Sequence, residues 1–225
     1  MSRSWMVVAV LAMLAAALPA QMPVKRGYVN METVFNEYYK TTNENVNFET
    51  QRRQMNATFA VMRNEYRGSL EEYRKAKEEA GNELLSNDKR DAAKNLMRVL
   101  EGRLTQKQEE MQQFRERSLG QLQQRQQQVT EALLKELLEQ LRKFAAANGY
   151  VEVMEVSGRT MSRTPAVLVY PPEMDITAAL VKQVNAGHEK EKQEATAKLE
   201  ELRRKAEAEM KAAEAELRKA QQGAK

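Results

Sequence analysis

The chain has 225 residues, of which 30% are charged, 42% are hydrophobic and only 6% are aromatic, and its net charge is +4. So few large apolar side chains cannot fill a large globular core, and the composition indicates one small core joined to an elongated part. Ala, Glu, Lys, Arg, Gln and Leu dominate, as in long helices and coiled coils. Because the chain has no cysteine, disulfides and thiol chemistry are excluded. The small net charge, spread over interspersed acids and bases, predicts weak attraction to acidic partners and not a dedicated nucleic-acid groove.

The first 20 residues have the pattern of a secretory signal peptide. Arg3 precedes an apolar run from about Trp5 to Leu18, and small residues suited to cleavage lie near Ala17 or Ala20. An uncleaved membrane anchor is the alternative, but the run is shorter than the roughly 20 residues that span a bilayer. No cysteine follows the run to accept a lipid. The mature chain is therefore expected to be exported and, in a bacterium, to be soluble in the periplasm.

Residues 24–40 predict the first part of a small folded body. Residues 24–31 (VKRGYVNM) are apolar and rich in strand-forming side chains, which predicts a short strand. Residues 32–39 predict a short helix with Val34, Phe35 and Tyr38 on one side.

Residues 41–148 predict a long antiparallel coiled-coil hairpin. Two stripes of apolar residues repeat at spacings of three and four, the first beginning at Phe48 and the second ending at Phe144. Between them, residues 80–91 (AGNELLSNDKRD) contain a glycine and several N-cap residues, which predict a turn. Each arm of roughly 40 to 55 residues would extend about 60 to 80 Å.

Residues 149–187 predict the second part of the body. Residues 150–156 (YVEVMEV) alternate, and residues 166–170 (AVLVY) form a short apolar run, so two strands around a loop are expected. Asp175 is suited to cap a helix over residues 176–185.

Residues 188–225 form a tail of different composition. They hold ten basic and nine acidic side chains, so the tail is not a polycationic arm. With few apolar anchors, it is expected to be a solvated helix or a disordered segment.

Several short motifs stand in a fixed order along these segments. They are G-Y-V-N-M and V-F-N-E-Y between Gly27 and Tyr38, A-A-A-N-G-Y-V-E-V-M from Ala145 to Met154, and D-I-T-A-A-L-V-K-Q-V-N from Asp175 to Asn185. Their order and spacing around a long hairpin resemble the Skp/OmpH family of periplasmic chaperones. The resemblance covers roughly residues 25–185, and the tail extends beyond it.

The resemblance implies an α+β, predominantly α subunit, in which the hairpin projects from a small β-containing trimerisation body and is followed here by a charged helical tail. In such proteins, three hairpins surround a cavity in which unfolded outer-membrane proteins are held without ATP or another cofactor. The implied function is that of a homotrimeric periplasmic holdase. Anionic lipid or lipopolysaccharide is a further expected partner. A body of about 65 residues would bury too little surface to be stable alone, which also favours a trimer.

Two sets of side chains on the hairpin are candidates for binding. Methionine and aromatic side chains on the stripes offer adaptable packing for a client, although their spacing favours a first role in the seam between the arms. Basic side chains near the turn and on the second arm would steer acidic clients or anionic surfaces, or simply form a solvated face. The apolar set is Met55, Phe59, Met62, Tyr66, Tyr73, Met111 and Phe114. The basic set is Lys89, Arg90, Lys94, Arg98 and Arg125.

Other classes of protein fit the sequence less well. His188 is the only histidine, and the sequence has no phosphate-binding loop or clustered metal ligands, so no catalytic, cofactor or metal site is expected. A coiled-coil spacer or tether of the cell envelope is the main alternative, and it would give unfolded clients no protection. A nucleic-acid binder is the weakest alternative, since the basic residues lack interleaved aromatic residues or a reading motif.

Overall fold

The computed structural model describes residues 24–222, which are predominantly helical. The elements are strand β1 (Arg26–Val29), helices α1 (Met31–Glu37), α2 (Tyr39–Gly81) and α3 (Asn87–Ala147), strand β2 (Glu152–Glu155), a 3-10 helix (Pro172–Met174), and helices α4 (Thr177–Val184) and α5 (Glu189–Gln222). The predicted fold class, a long helical hairpin with a small β-containing part and a helical tail, is confirmed. The predicted signal peptide lies outside the described residues. None of the helices between residues 24 and 222 combines the length and the hydrophobicity that a membrane-spanning helix needs.

The described residues divide into two compact units. The sheet unit takes residues 24–34 and 138–181, and the hairpin unit takes residues 35–137 and 182–222. The divisions fall inside α1, α3 and α4, so each of these helices contributes residues to both units.

The sheet unit is built on two parallel strands. β1 pairs with β2 with Arg26 opposite Glu152, and the long crossover that parallel pairing requires is formed by the helices between them. The start of α4 joins this layer, because the Ile176 amide donates a 2.8 Å hydrogen bond to the Tyr28 carbonyl. The buried apolar side chains of the unit include Val29, Met31, Val34, Phe144, Ile176 and Leu180.

Gly27 sits at a point of close approach within the sheet unit. A Cβ atom at this position would lie 3.1 Å from Cδ1 of Ile176 and 3.2 Å from the ring of Tyr150, which is closer than ordinary carbon contacts. Lys25 covers the same ring, with its Nζ atom 4.1 Å from the ring centroid. The absent side chain of Gly27 therefore lets β1 pack directly against these two residues.

The third predicted strand, over residues 166–170, is not formed in the single chain, so this prediction is wrong. The chain turns back before this segment, where the Thr160 amide donates to the Thr164 carbonyl at 2.9 Å, and the segment then forms no ladder with any described strand. The prolines that flank it on both sides have no amide hydrogen for a ladder. Leu168 and Val169 are consequently 77% and 88% exposed.

In the hairpin unit, α2 and α3 are joined by residues 82–86, inside the predicted turn. The side chain of Asn82 accepts a 3.0 Å hydrogen bond from the Leu84 amide and tightens the turn. Ser86 holds the N-cap position of α3, and its carbonyl accepts the Arg90 amide at 3.1 Å. A glycine and polar capping residues thus end one arm and start the other, as the sequence predicts.

The start of α2 is capped by a residue that is distant in sequence. Tyr38, which precedes the helix, makes no capping hydrogen bond with its own side chain. The buried Asn185 makes it instead: its Oδ1 atom accepts the Tyr39 amide at 2.8 Å, and its Nδ2 atom donates to the Glu37 carbonyl at 3.0 Å. One amide side chain therefore satisfies both a donor and an acceptor at the break between α1 and α2.

The tail is a packed helix, so the expectation of a solvated tail with few anchors is wrong for its first part. Ala195 and Leu199 of α5 are buried against Val46 of α2, and Leu202 packs beside them. These residues follow one another at intervals of four and three, and Ala206 continues the series. Small alanine side chains supply half of this stripe, which is why it does not stand out in the sequence.

Candidate functional site

The two arms of the hairpin are aligned in antiparallel register by ion pairs. Lys107 and Glu65 are 2.7 Å apart, Arg103 and Glu72 are 3.6 Å apart, and Arg125 and Glu44 are 3.9 Å apart. As the residue number rises on α3, the partner's number falls on α2, which defines the antiparallel alignment. Each pair is at least partly exposed, so its contribution is more to register than to stability.

The seam between the arms is well packed near the turn and loosely packed in its middle. Toward the turn, Ser69, Ala76, Ala93 and Leu100 are buried. By contrast, residues 47–68 of α2 and 101–132 of α3 contain no fully buried side chain. The middle of the hairpin therefore keeps part of its apolar surface accessible, which a purely structural coiled coil would bury.

All seven members of the apolar set are half-buried. Met55 and Phe114 lie on opposite arms and line, with Leu122 and several polar side chains, a cleft of about 390 Å³. Met55 and Phe59 also line a groove between α2 and α5. Met62, Tyr66, Tyr73 and Met111 line neither cavity. The prediction that these side chains form the seam and the prediction that they offer surface to a partner are thus physically compatible.

The basic set is only partly available for steering. Lys94 forms a 2.7 Å ion pair with Asp91, which lowers the pKa of that carboxyl, and Arg125 is paired with Glu44. The guanidinium of Arg90 bonds the side chain of Asn87. Lys89 and Arg98 are exposed and form no ion pair with any described residue. These two side chains are therefore the members of the basic set whose charge is not offset by a described acidic partner.

A polar cluster at the base of the hairpin was not anticipated from the sequence. The Glu136 carboxylate accepts the Tyr38 hydroxyl at 2.9 Å and the Lys40 ammonium at 2.6 Å. The hydrogen bond from Lys40 is the main cause that lowers the pKa of Glu136, and burial, followed by the bond to Glu136, raises the pKa of Tyr38. The sequence separation of nearly 100 residues leaves no local signal by which this cluster could be found.

The Glu136 cluster gives a testable pH dependence. Glu136→Gln is expected to lower the free energy of unfolding by about 1 kcal/mol at pH 7, a small value because Lys40 and Glu136 are both more than a third exposed. The folded pKa of Glu136 lies below the ordinary value of 4.5, so its contribution is complete above pH 4.5 and disappears as the pH falls through the folded pKa. Urea unfolding of both proteins between pH 7 and pH 3 measures this difference.

The exposed Glu139, one turn further along α3, offers the matched control. Glu139→Gln should change stability by less than about 0.5 kcal/mol. A Glu136→Gln difference that is as large at pH 3 as at pH 7 would contradict the assignment of the pKa shift.

His188, the single histidine, belongs to the packing of α5. Its ring stacks on Tyr39 with centroids 4.0 Å apart, and its Nδ1 atom lies 3.1 Å from a carboxylate oxygen of Glu191. In the described part of the chain, no group of three or more histidine, cysteine or acidic residues is arranged to hold a metal ion.

The fold and the half-buried seam define a class of protein: a chain with a long helical hairpin and a small parallel sheet, in which apolar side chains of the arms are only partly buried. The model of the OmpH-like outer membrane protein family matches residues 25–184, and the chain therefore belongs to this family, in agreement with the resemblance to Skp/OmpH. The family is one of periplasmic chaperones for outer-membrane proteins. A search of the curated proteins finds no match. Helix α5 lies entirely beyond the residues that the family model matches.

Proposed function

We propose that this protein is an ATP-independent periplasmic holdase, which binds unfolded outer-membrane proteins in a cavity between the hairpins of a homotrimer. The observation that carries the proposal is the loosely packed middle of the hairpin, where residues 47–68 and 101–132 contain no fully buried side chain. A holdase must bind each client segment weakly and many segments at once, and half-buried methionine and aromatic side chains meet both needs.

The proposed organisation follows from the same chain segments. Residues 1–20 act as a signal peptide, residues 24–40 and 149–187 form the trimerisation body, residues 41–148 form the hairpin, and residues 188–225 form the tail. Residues 166–170 support the trimer, since this apolar, strand-forming segment has no strand partner among the described residues. Pairing with another copy would cover its backbone and its exposed Leu168 and Val169.

The client-binding residues proposed are the apolar set, with the basic set in an accessory role. The exposed Lys89 and Arg98 are the best placed to attract acidic segments, anionic lipid or lipopolysaccharide, because they form no ion pair with a described residue.

The proposal is tested by diluting an unfolded β-barrel membrane protein from urea and following light scattering with and without the mature chain. Suppression of aggregation at about one trimer per client, with a trimeric mass in solution, is the expected result. A Met55→Ser/Phe114→Ser variant should protect several-fold less well, because both side chains line the cleft between the arms.

The control for this variant is Leu96→Ser, which alters an apolar side chain of α3 that is 49% exposed, lies outside residues 47–68 and 101–132, and does not line the cleft. It should protect as well as the wild type. An elongated oligomer that gives no protection would refute the holdase and indicate a spacer or tether.

A further inference from the structure

Helix α5, which lies outside the residues that the family model matches, forms one wall of a groove. Contacts between α2 and α5 advance in the same direction along both helices, from the 2.6 Å hydrogen bond between Asn43 and Glu191 to the 2.5 Å ion pair between Arg53 and Glu209. The helices are therefore parallel, and beyond their buried contact they enclose a groove of about 740 Å³. Its apolar lining consists of Met55, Phe59, Ala60, Ala206, Met210 and Ala213.

Two of the arginines that line this groove have no carboxylate partner among residues 24–222. Arg52 and Arg53 are held in ion pairs, whereas Arg63 and Arg203 form none with any described residue. Glu207 also lines the groove without an ion pair to a described residue, so the unpaired charge there is positive overall. A ligand that fills the apolar floor would be favoured if it brought carboxylates to these guanidinium groups.

The two free arginines stand at different heights along the groove. The guanidinium of Arg53 reaches the Leu202 carbonyl at 3.4 Å, which places Arg203 about level with Arg53. Arg63 lies ten residues further along α2, which is about 15 Å at the rise of an α-helix. An extended peptide covers that distance in four or five residues.

We propose that the groove between α2 and α5 binds an extended apolar segment of an unfolded protein that carries two acidic residues four or five positions apart. This inference rests on the proposed holdase function and assigns one class of client segment to a defined surface. The separation of the cations along a linear groove favours a peptide over a lipid, because a lipid headgroup gathers its charges at one end of the molecule.

The probe is a fluorescent ten-residue peptide of valine, leucine and alanine that carries two glutamates with four residues between them. The full-length wild type is expected to bind it, and to bind a peptide with glutamines in place of the glutamates about tenfold more weakly. Arg63→Glu/Arg203→Glu should also weaken binding of the acidic peptide about tenfold, since each change replaces attraction by repulsion.

The matched control is Arg115→Glu/Arg204→Glu, which makes the same change of net charge at exposed positions outside the groove. It should bind the acidic peptide within about twofold of the wild type. Absence of peptide binding, or equal losses in the two double variants, would overturn the inference.

The aggregation assay, run on the same samples, separates this inference from the proposed function. If the wild type prevents aggregation but the charge reversals leave its affinity for the peptide unchanged, the groove is not the binding site and the proposed holdase function is unaffected. If the wild type neither prevents aggregation nor binds the peptide, both are wrong. Binding of phosphatidylglycerol vesicles that depends on Arg63 and Arg203 and is not displaced by the peptide would also overturn the inference, in favour of a lipid surface.

Discussion

Replacing Leu137 by alanine is expected to lower the free energy of unfolding by about 3 kcal/mol. Leu137 has no solvent-exposed surface, and it lies on α3 near Leu133, which is also buried. When its branched end is removed, less apolar surface is buried away from water, and a cavity is left that rigid helices cannot close. Urea unfolding followed by circular dichroism, with all samples at equal protein concentration, measures the change.

Leu138 supplies the control, because it is the next residue of the same helix and is 44% exposed. Leu138→Ala alters helix propensity by the same amount, so the difference between the variants isolates burial. Leu138→Ala should lower the free energy of unfolding by less than about 1 kcal/mol. Equal losses in the two variants would show that the packing of α3 at this point differs from the one described.

The second large effect is expected at Asn185. Asn185→Ala should destabilise the protein by about 2 kcal/mol, because it removes both hydrogen bonds at the break between α1 and α2 and leaves the Tyr39 amide and the Glu37 carbonyl without that partner. The loss should appear as faster hydrogen exchange in the first turn of α2, in addition to a lower urea midpoint.

Asn43→Ala is the comparison for this effect. The side chain of Asn43 also donates to a residue distant in sequence, Glu191 at 2.6 Å, but that bond is exposed and water can replace it. A loss below about 0.5 kcal/mol is expected. If Asn185→Ala lowers the free energy of unfolding as little as Asn43→Ala does, the cap contributes little to stability and α2 is held by its packing alone.

The hairpin was predictable because its signals are local. Apolar residues at intervals of three and four, absence of proline, and a glycine with polar capping residues over residues 80–91 each act within a turn or two of helix. Asp175 is a similar case: its Oδ1 atom accepts the Thr177 amide at 2.8 Å at the start of α4, as its type and position suggest.

The errors arose where a segment depends on a partner that is remote in sequence. Residues 166–170 have the composition of a strand, but a strand forms only where another backbone edge runs beside it, and here the pairing ends with the Ala166 amide, which donates to the Gly158 carbonyl at 2.9 Å. The tail showed too few large apolar residues to predict packing, because Ala195 and Ala206 lie in its contact stripe and small side chains carry little signal.

The candidate site was predictable in part. Heptad spacing predicted a place on the seam for the apolar set, and all seven members are half-buried, but the spacing could not show that the seam is loosely packed in its middle. The groove beside α5 was not anticipated, since its arginines come from helices about 140 residues apart and nothing in the local sequence distinguishes Arg63 and Arg203 from other surface arginines.

By itself, the sequence determined where helices and the turn form, because backbone propensity and side-chain period act between near neighbours. Only the tertiary structure decided which polar groups meet: Asn185 with the start of α2, and Glu136 with Tyr38 and Lys40. It also decided which apolar surface stays partly open and that α5 packs along α2. These outcomes depend on the register between helices that are distant in the chain, and that register is set by the sum of many weak contacts, none of which has a local signature.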